Sequence, residues 1–467
     1  MQKKLSYSFL YLSTVVFTTA LLSNEITQEK FDKIYTTKNN SKHIFSQQIT
    51  GLNNEQIDKF IEGKSFYRIP WVEAPSATTA RDGLGPLFNA NTCISCHPKN
   101  GKGSIYNENG SISRSYIIRV SIPSNGSKQH QDILKFNGFV SEKTYGSQIS
   151  INGSLNVPFE AKPLVAYKDI TVTYPDGQTV TLKQPLHGVE NQLTHLNYGK
   201  MNEKVSLSSR LAPALLGLGL LEQVSDEQIL ANEDIEDKNN DGISGKANIV
   251  YSPKDKTFKV GRYTYKASAP SVIHQSAAAA NNDMSLTSPL FPNENCTNAQ
   301  ENCLKAPKGD AMRADTPFDL PIHRLESIAF YLKNLKIPKS TITEFEGEKL
   351  FAQIGCIKCH IPSFNLANSY KVKPFTDMLL HDMGEGLSDG RVEFKATEQE
   401  WRTAPLWGIG KHKLTLKKEP ELLHDGRAKT IEEAILWHGG EALKIKNDFM
   451  SLTKEQRNKV INYIKEL

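Results

Sequence analysis

The sequence lacks most of the features that announce a partner in advance. Lys and Arg number 56 against 51 Asp and Glu, so a formal charge of +5 spread over 467 residues gives no electrostatic footprint for nucleic acid or a membrane surface. Beyond the N-terminus no apolar stretch approaches bilayer length; residues 211–221 (LAPALLGLGLL) fall well short of a span and are expected to form a buried helix. Cysteine is scarce, with six in the whole chain. No βαβ pattern flanks any of them, which argues against a thioredoxin-like pair. No second cysteine pair lies close enough to complete a tetrahedral zinc site.

What is present is concentrated in two pentapeptides, Cys93-Ile94-Ser95-Cys96-His97 and Cys356-Ile357-Lys358-Cys359-His360. Each is Cys-x-x-Cys-His, the pattern of c-type haem attachment. Two thiols on one turn bond the porphyrin vinyls, and the adjacent histidine reaches the iron. The sequence therefore predicts two covalently bound haems held by Cys93, Cys96 and His97 and by Cys356, Cys359 and His360. The remaining cysteines, Cys296 and Cys303, lie close together in a polar loop and are expected to form a local disulfide in an oxidising compartment. The N-terminus agrees. Lys3 and Lys4 precede an apolar run from Phe9 to Leu22, the layout of a secretory signal over residues 1–23. Ser13, Thr14, Thr18 and Thr19 interrupt that run, so the mature chain is expected to be exported, with no stable membrane insertion.

Along the chain, Gly and Pro are dense from Pro70 to Phe88, which reads as a loop wrapped ahead of the first motif. Arg81 within it is a candidate for a haem propionate. Short β-like runs follow, and Pro175-Asp176-Gly177-Gln178 turns one strand back on another as a hairpin. Asp237-Lys238-Asn239-Asn240-Asp241-Gly242 matches the first half of a calcium-binding loop over 237–248, with Asp237, Asn239 and Asp241 as ligands; Asn248 stands where the bidentate glutamate belongs. The alternative is an Asx-rich turn. Residues 271–281 and 321–335 read as helices, and Pro338 marks a domain boundary. An apolar stripe from Ile342 to Ile354 leads into the second motif, and a helix closes the chain. The expected fold is mainly α with irregular loops and small β hairpins: two cytochrome c-like haem domains, residues 24–337 with large insertions and residues 338–467.

The sixth position on each iron decides between electron transfer and catalysis. Thr430 and Glu433 start a helix on which Ile431, Ala434, Ile435 and His438 share a face. His438 is therefore the predicted sixth ligand of the C-terminal haem, with Met383 as rival.

The runs Phe375-Thr376-Asp377, Leu380-His381-Asp382-Met383-Gly384, Arg402-Thr403-Ala404-Pro405-Leu406-Trp407 and His424-Asp425-Gly426-Arg427 resemble the bacterial dihaem cytochrome c peroxidase superfamily. They are closest to its dihaem oxidoreductase branch, also called thiol oxidoreductases. The resemblance places the C-terminal axial ligand at His438 and implies a distal glutamine and glutamate at the N-terminal haem, carried over onto Gln148 and Glu160. It implies a periplasmic, peroxidase-like enzyme. Electrons would come from a small donor such as a monohaem cytochrome c, enter at the C-terminal haem and leave at the N-terminal haem to an oxidant, hydrogen peroxide first. The alternatives are a non-catalytic dihaem electron carrier and a maturase-like oxidase of protein side chains. A thiol enzyme is not expected, because the four motif thiols are committed to thioether bonds.

Overall fold

The structure, a computed structural model, describes residues 27–78, 80–154, 156–309 and 316–467. The signal peptide expected over residues 1–23 lies outside them. Among the described residues, helices alternate with long loops, every sheet is a two-stranded pair, and no sheet closes. No described helix is long and apolar enough to cross a membrane.

Two helix crossings position the cysteine motifs. The first helix, Asn54–Arg68, begins at a capping box in which the Asn53 side chain accepts from Gln56 N and Gln56 Oε1 accepts from Asn53 N. It stops before Ile69-Pro70, where proline disfavours a helical predecessor. Its buried face, Phe60, Gly63 and Tyr67, packs on Ile322–Lys333. The contact is close because Gly63 has no side chain: a Cβ there would stand 1.8 Å from the Ser327 carbonyl oxygen. The second crossing repeats the device. Phe345–Gln353 packs on Lys454–Glu466, and a Cβ on Gly347 would stand 2.2 Å from the Lys459 carbonyl oxygen. Phe60 and Tyr331 meet at 5.0 Å in one crossing, Phe351 and Tyr463 at 5.4 Å in the other. Each such buried side chain stabilises by roughly 1.5–3 kcal/mol.

The apolar cores do not respect Pro338. Phe364, Leu366, Val372, Met378, Leu379 and Trp407 pack into the core built around the first crossing. In exchange, Tyr174 and Leu182 join the core of the second. Those two residues flank the predicted hairpin, observed as Tyr167–Thr173 paired antiparallel with Thr179–Pro185. It docks through Tyr174 Oη, which donates to Glu432 at 2.8 Å, and through Asp176, which pairs with Arg457 at 2.9 Å.

The expected helix over 211–221 is a correction. Leu211 ends the strand Ser206–Leu211, residues 212–216 carry no regular structure, and only Leu218–Glu222 is helical. Pro213 breaks the helical pattern. Gly217 adopts φ 60° where a Cβ would stand 2.1 Å from the Trp407 ring, so the chain must turn there. The Cys296–Cys303 disulfide is formed.

Candidate cofactor site

Thr92 caps the short helix Cys93–Cys96 by accepting from Ser95 N. His97 follows, and its Nδ1 lies 2.7 Å from the Pro213 carbonyl oxygen. In the second motif, Gly355 at φ 95° ends the preceding helix and Cys356–Lys358 forms one 3-10 turn. The Nδ1 of His360 then lies 2.9 Å from the Phe375 carbonyl oxygen. A carbonyl can only accept, so in both rings Nδ1 carries the hydrogen and Nε2 carries a lone pair. This backbone anchor is what fixes the tautomer and orientation of a metal-bound histidine. The irregular run through Pro213, misread as helix from the sequence, is what supplies the first acceptor.

Both motifs line one continuous cavity of about 880 Å³, which also reaches His438 and Met383. The helix Ile431–Leu436 starts at Thr430 and ends just short of His438. His438 Nδ1 donates to the Ala434 carbonyl at 2.7 Å, again leaving Nε2 free to bind. Burial pushes the His97 and His438 imidazoles down to about 4, so both are neutral, and His360 and His438 are near enough to repel each other's protons. Met383 lies against the same turn, its carbonyl oxygen 2.9 Å from where a Cβ on Gly439 would be. Burial also pushes the Cys93 and Cys356 thiols up to about 12, which keeps them from being nucleophilic thiolates.

Gln148 and Glu160 are both buried, and neither lies on the cavity wall. Glu160 accepts from Ser150 N at 2.6 Å and from the Gln300 side chain, and burial lifts its carboxyl to about 8. Gln148 Nε2 donates at 2.6 Å to Oδ1 of Asp283. Asp283 does line the cavity, at the end of helix Val272–Met284, and its charge is felt by Cys93 and Cys96. Burial raises its carboxyl above the usual range, against the pull of Arg119 and Gln148. Sequence reasoning missed Asp283, since nothing local distinguishes it from a helix C-terminal aspartate. Arg81 is also outside the cavity; it donates to Ser65 Oγ and stacks on Phe66.

Cations outnumber anions on the wall: Lys102, Arg119, Arg210, Lys266, Arg391, Arg402 and Lys446, against Asp283 and Glu393. Arg210 pairs with Asp389 at 2.5 Å, and both Arg210 and Lys266 stand over the Trp401 ring. Trp401 is stacked on its other neighbour, His424, at 3.8 Å and 6°. A cavity with anchored imidazoles, paired thiols and surplus buried cations fits haem, a flat apolar ring that carries two carboxylates.

Asp237, Asn239 and Asp241 cap their own loop. Asp237 and Asn239 accept from Asp241 N at 2.9 Å, and Asp241 Oδ1 accepts from Ile243 N at 3.1 Å. Asp241 Oδ2 pairs at 3.0 Å with Lys358, inside the second cysteine motif.

Two anchored histidines, each beside a pair of thiols on one cavity, suit a protein of the kind that carries two metal-centred cofactors. The chain matches the family described as "Di-haem oxidoreductase, putative peroxidase" over residues 27–467, and it belongs to that family. Nothing among curated proteins matches it. A solved structure of hydrazine synthase from Kuenenia stuttgartiensis is similar at 18% identity over 31% of this chain and 55% of that one. Its TM-score of 0.21 carries no argument about fold.

Proposed function

We propose that the protein is a periplasmic c-type dihaem oxidoreductase of the peroxidase kind. One observation carries this reading: His97 and His360 are anchored alike, by Nδ1 to a backbone carbonyl, each beside two thiols on the wall of a shared cavity. One haem would be bonded through Cys93 and Cys96 and the other through Cys356 and Cys359. The two Gly-centred helix crossings support reading residues 24–337 and 338–467 as two cytochrome c-like units. When bound, the haems supply one-electron chemistry, taking electrons from a donor such as a small monohaem cytochrome c at the C-terminal site and delivering them to hydrogen peroxide at the N-terminal site.

The chain's own residues divide the rest of the work. His438 would serve as the sixth ligand at the C-terminal site, its Nδ1 tied to the Ala434 carbonyl and its Nε2 free. Reducing peroxide to two waters consumes two protons as well as two electrons, so a proton-bearing group is needed at the other site. Asp283 is that group in our reading. Gln148 fixes its Oδ1, and Oδ2 has no hydrogen-bond partner among the described residues and can hold and return a proton. Gln148 thus keeps a role through Asp283, while Glu160 is the rival acid. Calcium at Asp237, Asn239 and Asp241 is a separate proposal, and the ion would have to displace Lys358.

The test is production in a host that attaches haem c. Two haems per chain should survive denaturing electrophoresis, and Cys93→Ala with Cys96→Ala should leave one. Peroxide should oxidise a reduced cytochrome in the presence of the protein. Two covalent haems without turnover, six-coordinate at both irons in every oxidation state, would make it an electron carrier instead.

A further inference from the structure

Near the second motif lies a group of buried side chains that the proposed reaction does not use. His381 is 3% exposed; its Nε2 is 2.7 Å from Asp377 Oδ2 and its Nδ1 2.8 Å from Glu441 Oε2. Ionised carboxylates only accept, so both ring nitrogens carry hydrogen and the ring is an imidazolium bridging two anions. Burial alone would strip that proton, but the hydrogen bonds that His381 donates to Asp377 and Glu441 hold it well above the usual histidine range.

Each carboxylate is tied to the backbone of a different segment. Asp377 N donates to the Cys359 carbonyl at 2.9 Å, and Asp377 Oδ1 accepts from Leu379 N at 2.9 Å. Asp377 is also two residues beyond Phe375, whose carbonyl anchors His360. Glu441 stands three residues beyond His438, and accepts from Ser244 N at 3.0 Å and from Ser244 Oγ at 2.9 Å. The contacts therefore run from the His360 anchor through Asp377, His381 and Glu441 to the turn that bears His438.

We propose that His381 is a positioning residue: by clamping Asp377 to Glu441 it fixes the spacing of the two segments carrying His360 and His438, and so keeps His438 within reach of the same iron. This rests on the reading of His438 as the sixth ligand. Removing one member of a buried charged group leaves its partners uncompensated, which loosens the tie between the two segments. Without it, Gly439 and Gly440 give the His438 turn little stiffness of its own.

The test uses the haem-loaded protein and the ferric absorption and electron paramagnetic resonance spectra of three variants: His381→Gln, Glu441→Gln and His438→Gly. His438→Gly should lose the low-spin signal of one haem. The two clamp variants should lose part of that same signal and gain a high-spin one. Added imidazole should restore low-spin character in all three, which separates a displaced ligand from a lost fold. If His381→Gln does not accumulate, Glu441→Gln decides, because the amide still accepts from Ser244. Full low-spin signal in the clamp variants together with its loss in His438→Gly overturns the positioning role. Retention in His438→Gly overturns the ligand assignment beneath it.

Discussion

The two histidine sites are alike on one side and unlike on the other. His97 and His360 are both locked through Nδ1 to a carbonyl, at 2.7 and 2.9 Å. Near His360 stands a second neutral imidazole, His438, with a free Nε2 and a thioether close by at Met383. Near Cys93 and Cys96 the carboxyl of Asp283 makes its charge felt, on a helix that also brings His274, Gln275, Asn281 and Asn282 to the cavity wall beside Ala278 and Ala279. An imidazole is a strong iron ligand that closes a site to exchange, whereas a proton-bearing carboxyl leaves room and supplies acid. Under the proposed function, this contrast would suit one site to passing electrons and the other to using them.

The largest effect should come from removing that acid. Asp283→Asn keeps an acceptor for Gln148 but cannot carry the proton, and peroxide turnover should fall by roughly 10²–10⁴-fold. The absorption of the C-terminal haem should not change. Since burial raises the Asp283 carboxyl, wild-type activity that needs the protonated form should fade as pH rises through that raised value, and the variant should lack this limb. A larger loss from Glu160→Gln than from Asp283→Asn would return the acid role to Glu160. The next effect sharpens the other side of the comparison. His438→Met should raise the potential of one haem and leave the other nearly unchanged, because bis-histidine ligation favours ferric iron relative to Met–His. Met383→Ala should alter neither. If Met383→Ala instead removes low-spin character, the ligand at the second site is the thioether.

A smaller effect is acid sensitivity. His274 is pushed down to about 4 by burial and His412 to about 3. Their unfolded forms take up protons at the ordinary histidine value while the folded forms resist. Their contribution is therefore complete above that value and is lost as pH falls toward 4. Each such gap is worth roughly 3–5 kcal/mol at neutral pH relative to acid. Thermal melts should show the midpoint dropping through this window. A flat midpoint from pH 7 to 4 would mean that these imidazoles are not held neutral.

What could be read from the sequence was what neighbours in sequence decide. The two cysteine motifs, the hairpin turn at Pro175-Asp176-Gly177-Gln178, the Cys296–Cys303 bond and the start of the His438 helix all depend on contacts a few residues apart. The partners that give the site its character are distant. Gln148 meets Asp283 across 135 residues, and Arg391 reaches the Val120 carbonyl across 271. His381 stood inside a recognisable run, yet its second carboxylate comes from Glu441, 60 residues on. The misread helix over 211–221 has the same cause. Apolar periodicity is local, but Leu211 N bonds to His424, Ala212 N to Ser115 and Leu215 N to Asn100, and those long-range bonds take the amides that a helix would use. The sequence likewise does not reveal that the cores on either side of Pro338 borrow side chains from each other's half.

The smallest expected effect tests the link between the Asp237–Asp241 loop and the second motif. Asp241 and Lys358 are both partly exposed, and such ion pairs contribute at most about 1 kcal/mol. Lys358→Ala alone should therefore shift the melting midpoint little. It should, however, release Asp241 Oδ2, the oxygen that a calcium ion would need alongside Asp237 and Asn239. A cation that binds only the folded chain stabilises by about 2.7 kcal/mol at a hundredfold excess over its dissociation constant, more than the lost pair. Calcium should then raise the midpoint of Lys358→Ala above that of the untreated variant, and by more than it raises the wild type. A chelator should reverse the gain, and adding Asp241→Ala should abolish it. If calcium moves neither protein, the carboxylates do no more than cap their own turn, and the loop joins the second motif only through Lys358.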